Sequence, residues 1–411
     1  SAQPGDRPRF VSLTVALTTV TNETWTISGL SGAADLVKTG AGTLVVSNAT
    51  AFTGRVRVLQ GLLRSVGAVG ANEAVVSNGV FAAYGAGTVL QNTFTVAGGT
   101  LLADHGGSLG SGAVALLGGG TLAATNSGSL GSGPLAVTAG TLRMDAGGTA
   151  GTRALTLSGS GQIQIYDGAG FDAATLAIGG GTLDFRATTT MGRGVTLTAN
   201  TTFSATTPAG ALAPTVGTLA GLITTSARSK LNVNGNGQLR LAGGGSFIAG
   251  GEIFVTGGGD LTIVSNEVSV TGYAGLESGG KRFAVADGGT FSMTGSGVNL
   301  HAGMGGGDCT FEVTTGGVYN VSSGASVLIG NGGNTLFRIR GGTVNVANGG
   351  QFLLGTQSAT STGIVELAAG GVLKTSRQIK TTLGTGVLLF AGGTLQSDGV
   401  NSYDPWIATN I

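Results

Sequence analysis

The 411-residue chain contains 81 glycines and one cysteine, and its 20 basic and 19 acidic residues give a formal net charge of +1. Glycine without a strict three-residue period excludes collagen, and 41% hydrophobic against 9% charged residues excludes a disordered chain. The near-neutral charge offers no basic stripe for nucleic-acid phosphates, and a single cysteine excludes an internal disulfide.

The N-terminal segment combines an arm with a strand. Residues 1–9 contain two prolines, whereas residues 10–21 alternate between apolar and small or polar side chains. This period of two predicts a half-buried strand that is longer than those expected later in the chain. We assign residues 1–29 to the arm and this strand, and we predict that residues 10–20 add to a sheet edge of a neighbouring copy. The side chains expected to make this contact are Phe10, Val11, Leu13, Val15 and Leu17.

A Gly-Thr-Leu signature recurs throughout residues 30–395, as in Gly42-Thr43-Leu44 and Gly181-Thr182-Leu183. Its spacing fits one or two units of a period of about 20–26 residues, and a fixed period of this length is typical of solenoids. Glycine and Asn-Gly turns, which tolerate positive φ, separate three short apolar segments in each C-terminal repeat. We therefore predict an all-β, right-handed parallel β-helix (a β-solenoid) with three short strands per coil. The signature residues expected inside it are Leu44, Leu122, Leu142, Leu183, Val344 and Leu395.

Two segments depart from this repeat. Residues 207–228 contain Pro208 and Pro214 and predict an irregular excursion from the coil. Residues 396–411 follow the last signature and are unusually aromatic for this chain. We predict that this segment either caps the last coil or contacts another copy, through Tyr403, Trp406 and Ile407.

One stretch resembles a known repeat family. Residues 36–48 read Leu-Val-Lys-Thr-Gly-Ala-Gly-Thr-Leu-Val-Val-Ser-Asn, and Phe52-Thr53-Gly54 and Gly61-Leu62-Leu63 follow them. This pattern resembles the autotransporter-associated β-strand repeat, although Arg55 departs from the small residue usual there and the rest of the chain matches loosely. The resemblance implies a secreted or surface-exposed bacterial right-handed β-helix. It implies no activity, because the family includes adhesins, structural passengers and proteins of unknown role.

Two patterns suggest hydrolytic chemistry. His105 precedes Gly106-Gly107-Ser108-Leu109-Gly110, which matches a nucleophile elbow, but such a match is expected by chance here and the elbow needs a strand-turn-helix context. Asp104 and Asp145 lie two repeat units apart, a separation that would suit a glycosidase carboxylate pair. Solvated turn residues are the commoner explanation of such carboxylates, so we expect no catalytic residues.

Metal and cofactor sites have little support in the sequence. His105 and His301 are the only histidines, and Cys309 is interpreted as a small core residue rather than a reactive thiol. No phosphate-loop pattern is present. We expect no metal, no cofactor and no enzymatic activity.

The sequence thus favours a non-enzymatic extracellular structural protein that self-associates end to end into a fibre. A monomeric surface adhesin or autotransporter passenger rod is the second interpretation, and a carbohydrate-active β-helix enzyme is the third. The expected partners are other copies of the chain, with cell-surface or extracellular matrix material as a further candidate; we expect no nucleic acid and no membrane span. The chain begins with Ser1 rather than Met, which fits removal of a signal peptide and an extracellular or bacterial cell-surface location.

Overall fold

The computed structural model describes residues 14–397 except for 86, 146, 172–174, 226–228, 243–245, 248–250, 278, 280 and 348–350. Within this part of the chain the fold is all-β, without helices, and forms a parallel β-solenoid of about 16 turns. The predicted β-solenoid is therefore confirmed. The chain divides into two compact units: unit 1 comprises residues 1–155 and 168–174, and unit 2 comprises residues 156–167 and 175–411.

Unit 1 consists of short strands that alternate between two sides of each coil. Its strands are β1 (Thr14–Thr18), β2 (Thr24–Ser28), β3 (Asp35–Thr39), β4 (Thr43–Asn48), β5 (Arg55–Val58), β6 (Leu62–Ser65), β7 (Val69–Val76), β8 (Val80–Tyr84), β9 (Val89–Val96), β10 (Thr100–Asp104), β11 (Ala113–Leu116), β12 (Thr121–Ala124) and β13 (Leu135–Met144).

Strands of the same side stack in parallel. The odd-numbered strands β1 to β11 pair in order, the even-numbered strands β2 to β12 do the same, and the two halves of β13 continue both series. On the third side most coils are joined by single parallel bridges, for example between Ser108 and Ser129, and one longer match pairs residues 69–71 of β7 with residues 89–91 of β9. A coil of unit 1 therefore has two strands and one extended corner. The strands β1 and β2 belong to this stack, so the described solenoid already begins at residue 14 rather than near residue 30.

The Gly-Thr-Leu signature opens the second strand of several coils in unit 1. Its leucine points into the coil, and Leu101, Leu122 and Leu142 are fully buried. Gly140 has φ of 115°, and a Cβ there would lie 2.4 Å from the carbonyl oxygen of Gly120 in the neighbouring coil. Glycine recurs at this turn because adjacent backbones approach too closely for a side chain.

Unit 2 contains most of the remaining strands, and β14 (Ala154–Ile165) crosses the boundary between the units. The others are β15 (Thr175–Phe185), β16 (Thr189–Met191), β17 (Val195–Leu197), β18 (Thr201–Ala205), β19 (Val216–Leu219), β20 (Ile223–Thr225), β21 (Lys230–Gly235), β22 (Gln238–Ala242), β23 (Ser246–Phe247), β24 (Glu252–Val255), β25 (Asp260–Val264), β26 (Glu267–Val270), β27 (Ala274–Glu277), β28 (Arg282–Ala286), β29 (Thr290–Met293), β30 (Asn299–Met304), β31 (Cys309–Val313), β32 (Val318–Val321), β33 (Ser326–Asn331), β34 (Asn334–Ile339), β35 (Thr343–Val346), β36 (Phe352–Thr356), β37 (Thr362–Ala368), β38 (Val372–Thr375), β39 (Ile379–Thr381), β40 (Thr385–Ala391) and β41 (Thr394–Gln396).

From β21 onward, each coil of unit 2 has the three predicted strands, one in each of three parallel sheets. The first sheet runs from β18 through β21 and β24 to β39, the second from β16 through β19 to β40, and the third from β23 through β26 to β41. The chain visits them in the order first, second, third, as in β33, β34 and β35. Like side chains therefore stack inside: the rings of Phe283, Phe311 and Phe337 follow one another at centroid distances of 5.0 and 4.9 Å.

The predicted interior residues are found inside with one exception. Leu44, Leu122, Leu142, Leu183 and Val344 are fully buried. Leu395 is only half-buried, because β41 is the last strand of the third sheet and no further coil covers it within the described residues.

The predicted excursion is shorter than expected. Residues 206–215 contain no strand, but the chain returns to β19 and β20 directly afterwards. Hydrogen-bonded neighbours on adjacent coils are 21 residues apart at Asp104 and Thr125, and 30 apart at Asn200 and Lys230, where this loop is inserted. The inserted residues lie at a corner, so the flanking strands keep their register.

We expect Leu142→Asp to lower the free energy of unfolding by about 3–5 kcal/mol, because it places an unpaired carboxylate among stacked leucines. The control is Thr138→Asp, at an exposed position of the same strand, β13, which should change stability by less than about 0.5 kcal/mol. Chemical denaturation measures both. Equal effects of the two variants would contradict the assigned core.

Candidate functional site

The lysine of the family-like motif lies inside the first coils of unit 1. Lys38 is fully buried, and its Nζ donates hydrogen bonds to the carbonyl oxygens of Thr39 (2.7 Å), Gly40 (2.6 Å) and Gln60 (3.1 Å). Burial lowers the pKa of this ammonium. All three of its protons are directed at turn carbonyls, so Lys38 joins two successive glycine turns and is not available to a ligand.

Arg153 has a similar role deeper in unit 1. It follows a corner of the coil, and the same corner contains Gly112 and Gly133 in the two preceding coils. Its Nη1 donates hydrogen bonds to the backbone carbonyl oxygens of both glycines, each at 2.7 Å. Its Nε donates to the carbonyl of Leu130. The side chain is fully buried, and burial lowers its pKa to about 10. The sequence did not single out this residue.

The predicted carboxylate pair is divided between two local clusters. Asp104 accepts hydrogen bonds from Thr125 (2.9 Å) and Asn126 (2.8 Å) of the next coil, whereas Asp145 pairs with Arg143 at 2.6 Å. Burial raises the pKa of Asp104, but its hydrogen bonds outweigh this and leave the pKa below its ordinary value. Both carboxyl groups are therefore engaged, and Asp104 is poorly suited to act as a general acid.

The elbow-like pattern does not bring its serine to a base. The Nδ1 of His105 lies 2.8 Å from Asp104, and its ring lies 4.6 Å from that of Tyr84. Ser108 Oγ accepts a hydrogen bond from the backbone N–H of Gly110 at 3.1 Å. In the next coil its counterpart, Ser129 Oγ, accepts the same hydrogen bond from the backbone N–H of Gly131 at 3.1 Å. Ser108 is thus a repeated turn residue.

Cys309, His301 and Asn331 occur close together in unit 2. A cysteine, a histidine and an asparagine are the residue types of a thiol-hydrolase triad. The Nδ2 of Asn331 donates to His301 Nδ1 at 2.7 Å, and Asn331 Oδ1 accepts from Thr356 at 2.8 Å. Cys309 is directed instead to Thr335 Oγ1, 3.3 Å away. The imidazole is therefore oriented by the asparagine, but it is not the partner of the thiol.

The pKa shifts of this cluster oppose nucleophilic chemistry. Burial raises the pKa of the Cys309 thiol and lowers the pKa of His301, although Glu277 partly offsets the latter. At neutral pH the pair is a thiol and a neutral imidazole, and no thiolate is stabilised. This agrees with the interpretation of Cys309 as a core residue.

The outer face of the second sheet carries a ladder of alternating charges. Successive ion pairs join neighbouring strands at 3.3, 2.9, 3.2 and 2.7 Å. Its members, in order, are Asp260, Arg282, Glu312, Arg338 and Glu366. The variable length of the coils hid this alternation in the sequence.

A groove of about 410 Å³ crosses the third sheet of unit 2. On its floor Asn345 Nδ2 donates to Asn320 Oδ1 at 2.8 Å, and Asn320 Nδ2 donates to Ser292 Oγ at 3.3 Å. Lys374 lies at one end of the groove. The amides are oriented by one another, so the groove combines a regular row of uncharged polar groups with a lining that is mostly apolar.

The predicted association residues are only partly described. Residues 14–18 form β1, which pairs with β3 of the same chain, so that Val15 lies beside Leu36 and the half-buried Leu17 beside Lys38. Six predicted contact residues lie outside the described part of the chain: Phe10, Val11, Leu13, Tyr403, Trp406 and Ile407.

The buried columns end in exposed aromatic residues. In unit 1 the leucine column of Leu44, Leu101 and Leu122 begins at Trp25, whose exposed fraction is 45%. In unit 2 the inward-facing column that includes Leu367 ends at Phe390, which is 56% exposed. Both residues occupy inward-facing positions, in register with the buried Leu44 and Leu367. Neither is covered by a further described coil.

Comparisons with known proteins give a limited result. No family model matches the chain, so the predicted repeat family stays a prediction. No curated protein matches either. Among solved structures, the crystal structure of the TibC-catalyzed hyper-glycosylated TibA55-350 fragment is similar at 17% identity and a TM-score of 0.28, covering 77% of this chain and 97% of that one. We draw no functional argument from a match at this TM-score.

The described residues contain neither a metal-binding cluster nor a membrane-spanning helix. Among them, no group of three or more His, Cys, Asp and Glu side chains is placed to hold a metal ion. The same residues include no helix with the length and apolar character needed to cross a membrane.

We expect Lys38→Met to lower the free energy of unfolding by about 1–3 kcal/mol, because three turn carbonyls lose their donor inside the coil. Lys374→Met is the matched control at an exposed position and should be nearly neutral. Denaturant unfolding compares the two, and a neutral Lys38→Met would refute the assigned role.

The lowered pKa of His301 predicts a pH-dependent stability. The unfolded chain takes up a proton near the ordinary value of 6.5, before the folded state does, so folding is weakened as pH falls below 6.5. The loss has a ceiling of about 1.4 kcal/mol per pH unit. His301→Gln keeps an acceptor for Asn331 but cannot titrate. The difference in unfolding free energy between wild type and this variant should change between pH 7 and pH 5, and a constant difference would contradict the prediction.

Proposed function

We propose that this protein is a non-enzymatic extracellular structural protein whose β-solenoid associates end to end with other copies. The observation that supports this most directly is the exposure of Trp25 and Phe390, the terminal members of two buried columns. Full burial of a large apolar side chain stabilises by about 1.5–3 kcal/mol, and because Trp25 and Phe390 are each about half exposed, each lacks about half of that stabilisation. Contact with the opposite end of another copy would recover that stabilisation.

The backbone at both ends supports the same proposal. Within the described residues, β1 and β2 pair on one side only, with β3 and β4, and β39, β40 and β41 pair on one side only, with β36, β37 and β38. Unpaired strand edges are templates for another chain unless something covers them. Because the two ends differ, a contact between them is heterologous and does not close on itself, which favours a fibre.

The chemistry of the described residues supports a structural rather than a catalytic role. The carboxylates, histidines and cysteine considered as catalysts are each hydrogen-bonded within the fold or paired with a neighbouring side chain. The net charge of +1 also gives little long-range repulsion between copies. The extracellular or bacterial surface location belongs to this proposal and is supported by the family resemblance of residues 36–63.

The groove on the third sheet favours a second candidate function, a monomeric surface adhesin. Its row of amide and hydroxyl groups, from Ser292 through Asn320 to Asn345, lies in a mostly apolar lining and would suit an uncharged cell-surface ligand that has both polar and apolar faces. In this case the ends would be capped and the sides of the coil would bind.

We expect Trp25→Lys and Phe390→Lys each to prevent assembly while leaving the fold intact, because each puts a charge at a terminal contact without entering the covered core. Leu212→Lys, in an exposed loop, is the control and should assemble like wild type. Sedimentation velocity and negative-stain imaging are the measurements. A wild-type protein that stays monomeric at high concentration would overturn the proposed function, as would unimpaired fibres from both end variants.

A further inference from the structure

The three strands that end unit 2 differ in what they offer to a second copy. β39 and β41 have three residues each, whereas β40 has seven. β40 contains no charged residue and presents Leu388 and Phe390 on its inward face. Leu389 on its outward face is 47% exposed, and Leu383 just before it is 66% exposed. Most of the pairing capacity and apolar surface at this end therefore belongs to β40.

The first coil of unit 1 has no described strand to match β40. It contributes β1 and β2, and the third side of the coils in unit 1 is an extended corner. In that unit the chain always passes the third side immediately before it enters a strand of the β1 series, as residues 49–52 do before β5. The segment that would occupy the third side of the first coil is thus the one immediately before β1.

We propose that residues Phe10–Leu13 of a second copy pair in parallel with β40. The proposal rests on the end-to-end association described above and identifies the accepting strand.

The Gly-Thr-Leu signature opens the β2-series strands of unit 1, and in unit 2 it lies in the second half of β15, which pairs with β18 and so leads into the first sheet. The first half of β15, which precedes the signature as the β1 series does in unit 1, pairs instead with β17 and then β20. A copy stacked according to this equivalence places β2 on β39 and β1 on β41, and the segment before β1 then falls on β40. The strand-like alternation of residues 10–21 puts Val11 and Leu13 in phase with Val15 and Leu17, so both would cover Leu388 and Phe390.

This assignment refines two sequence-based expectations. Residues 14–18 pair within their own chain, so only the segment before them is available to cross between copies. The proposed accepting surface is the edge of β40, whereas the predicted contacts of Tyr403 and Trp406 lie outside the described residues and stay a prediction.

Disulfide trapping tests the proposal. Adjacent parallel strands lie about 4.8 Å apart, within the range a disulfide spans. In a Cys309→Ser background, one preparation carries Ser12→Cys and the other Leu389→Cys, both at positions on the outward face. Oxidation of an equimolar mixture should give a covalent heterodimer in about half of the assembled protein, because random stacking places the two cysteines at one contact in four. The matched control replaces Leu389→Cys with Leu212→Cys, which should give no more than a few per cent.

The outcomes separate this proposal from the proposed function. Fibres that form without the Ser12–Leu389 cross-link would overturn the accepting strand and leave end-to-end association intact. A protein that neither assembles nor cross-links would overturn both. An intrachain disulfide between Leu389→Cys and Ile407→Cys in a monomer would show that the chain's own C-terminal segment covers β40, and it would also overturn the proposal.

Discussion

Parallel backbone pairing between successive coils is the interaction on which the rest of this structure depends. It fixes each coil on the previous one in register, so a residue type that recurs in the sequence becomes a column in space. Each member of a column is buried because it has a neighbour above and below. The same rule explains why Leu142 is fully buried while Phe390, in an equivalent inward position, is half in water.

The coil turns impose a second requirement, which two buried cations meet. Tight glycine turns leave carbonyl oxygens directed into the coil, where water cannot reach them. Lys38 supplies three hydrogen-bond donors to two successive turns, and Arg153 does the same for the corners at Gly112 and Gly133. Neither cation has a carboxylate partner among its described contacts, which is unusual for buried charge, because the backbone dipoles provide the compensation.

The sequence predicted the fold well because the Gly-Thr-Leu signature combines a steric requirement with a direction. Its glycine marks a turn that is too crowded for a side chain, its threonine points out of the coil and its leucine points into the coil. It also indicated correctly that Cys309 is a core residue. It did not predict that one side of unit 1 is mostly reduced to single bridges, because a corner held by one bridge needs no apolar run. The charge ladder and Arg153 were missed because their partners lie one or two coils away, at separations that change with every inserted loop residue.

The charge ladder has a consequence for how unit 2 finds its correct order of coils. Stacked coils resemble one another, so omitting a coil would leave most apolar contacts intact. Such an omission would bring Arg282 against Arg338, or Glu312 against Asp260, at the distance of adjacent strands. The alternation of sign therefore disfavours a misfolded intermediate that skips one coil, because like charges would then lie on adjacent strands. An intermediate that skips two coils would not meet this repulsion.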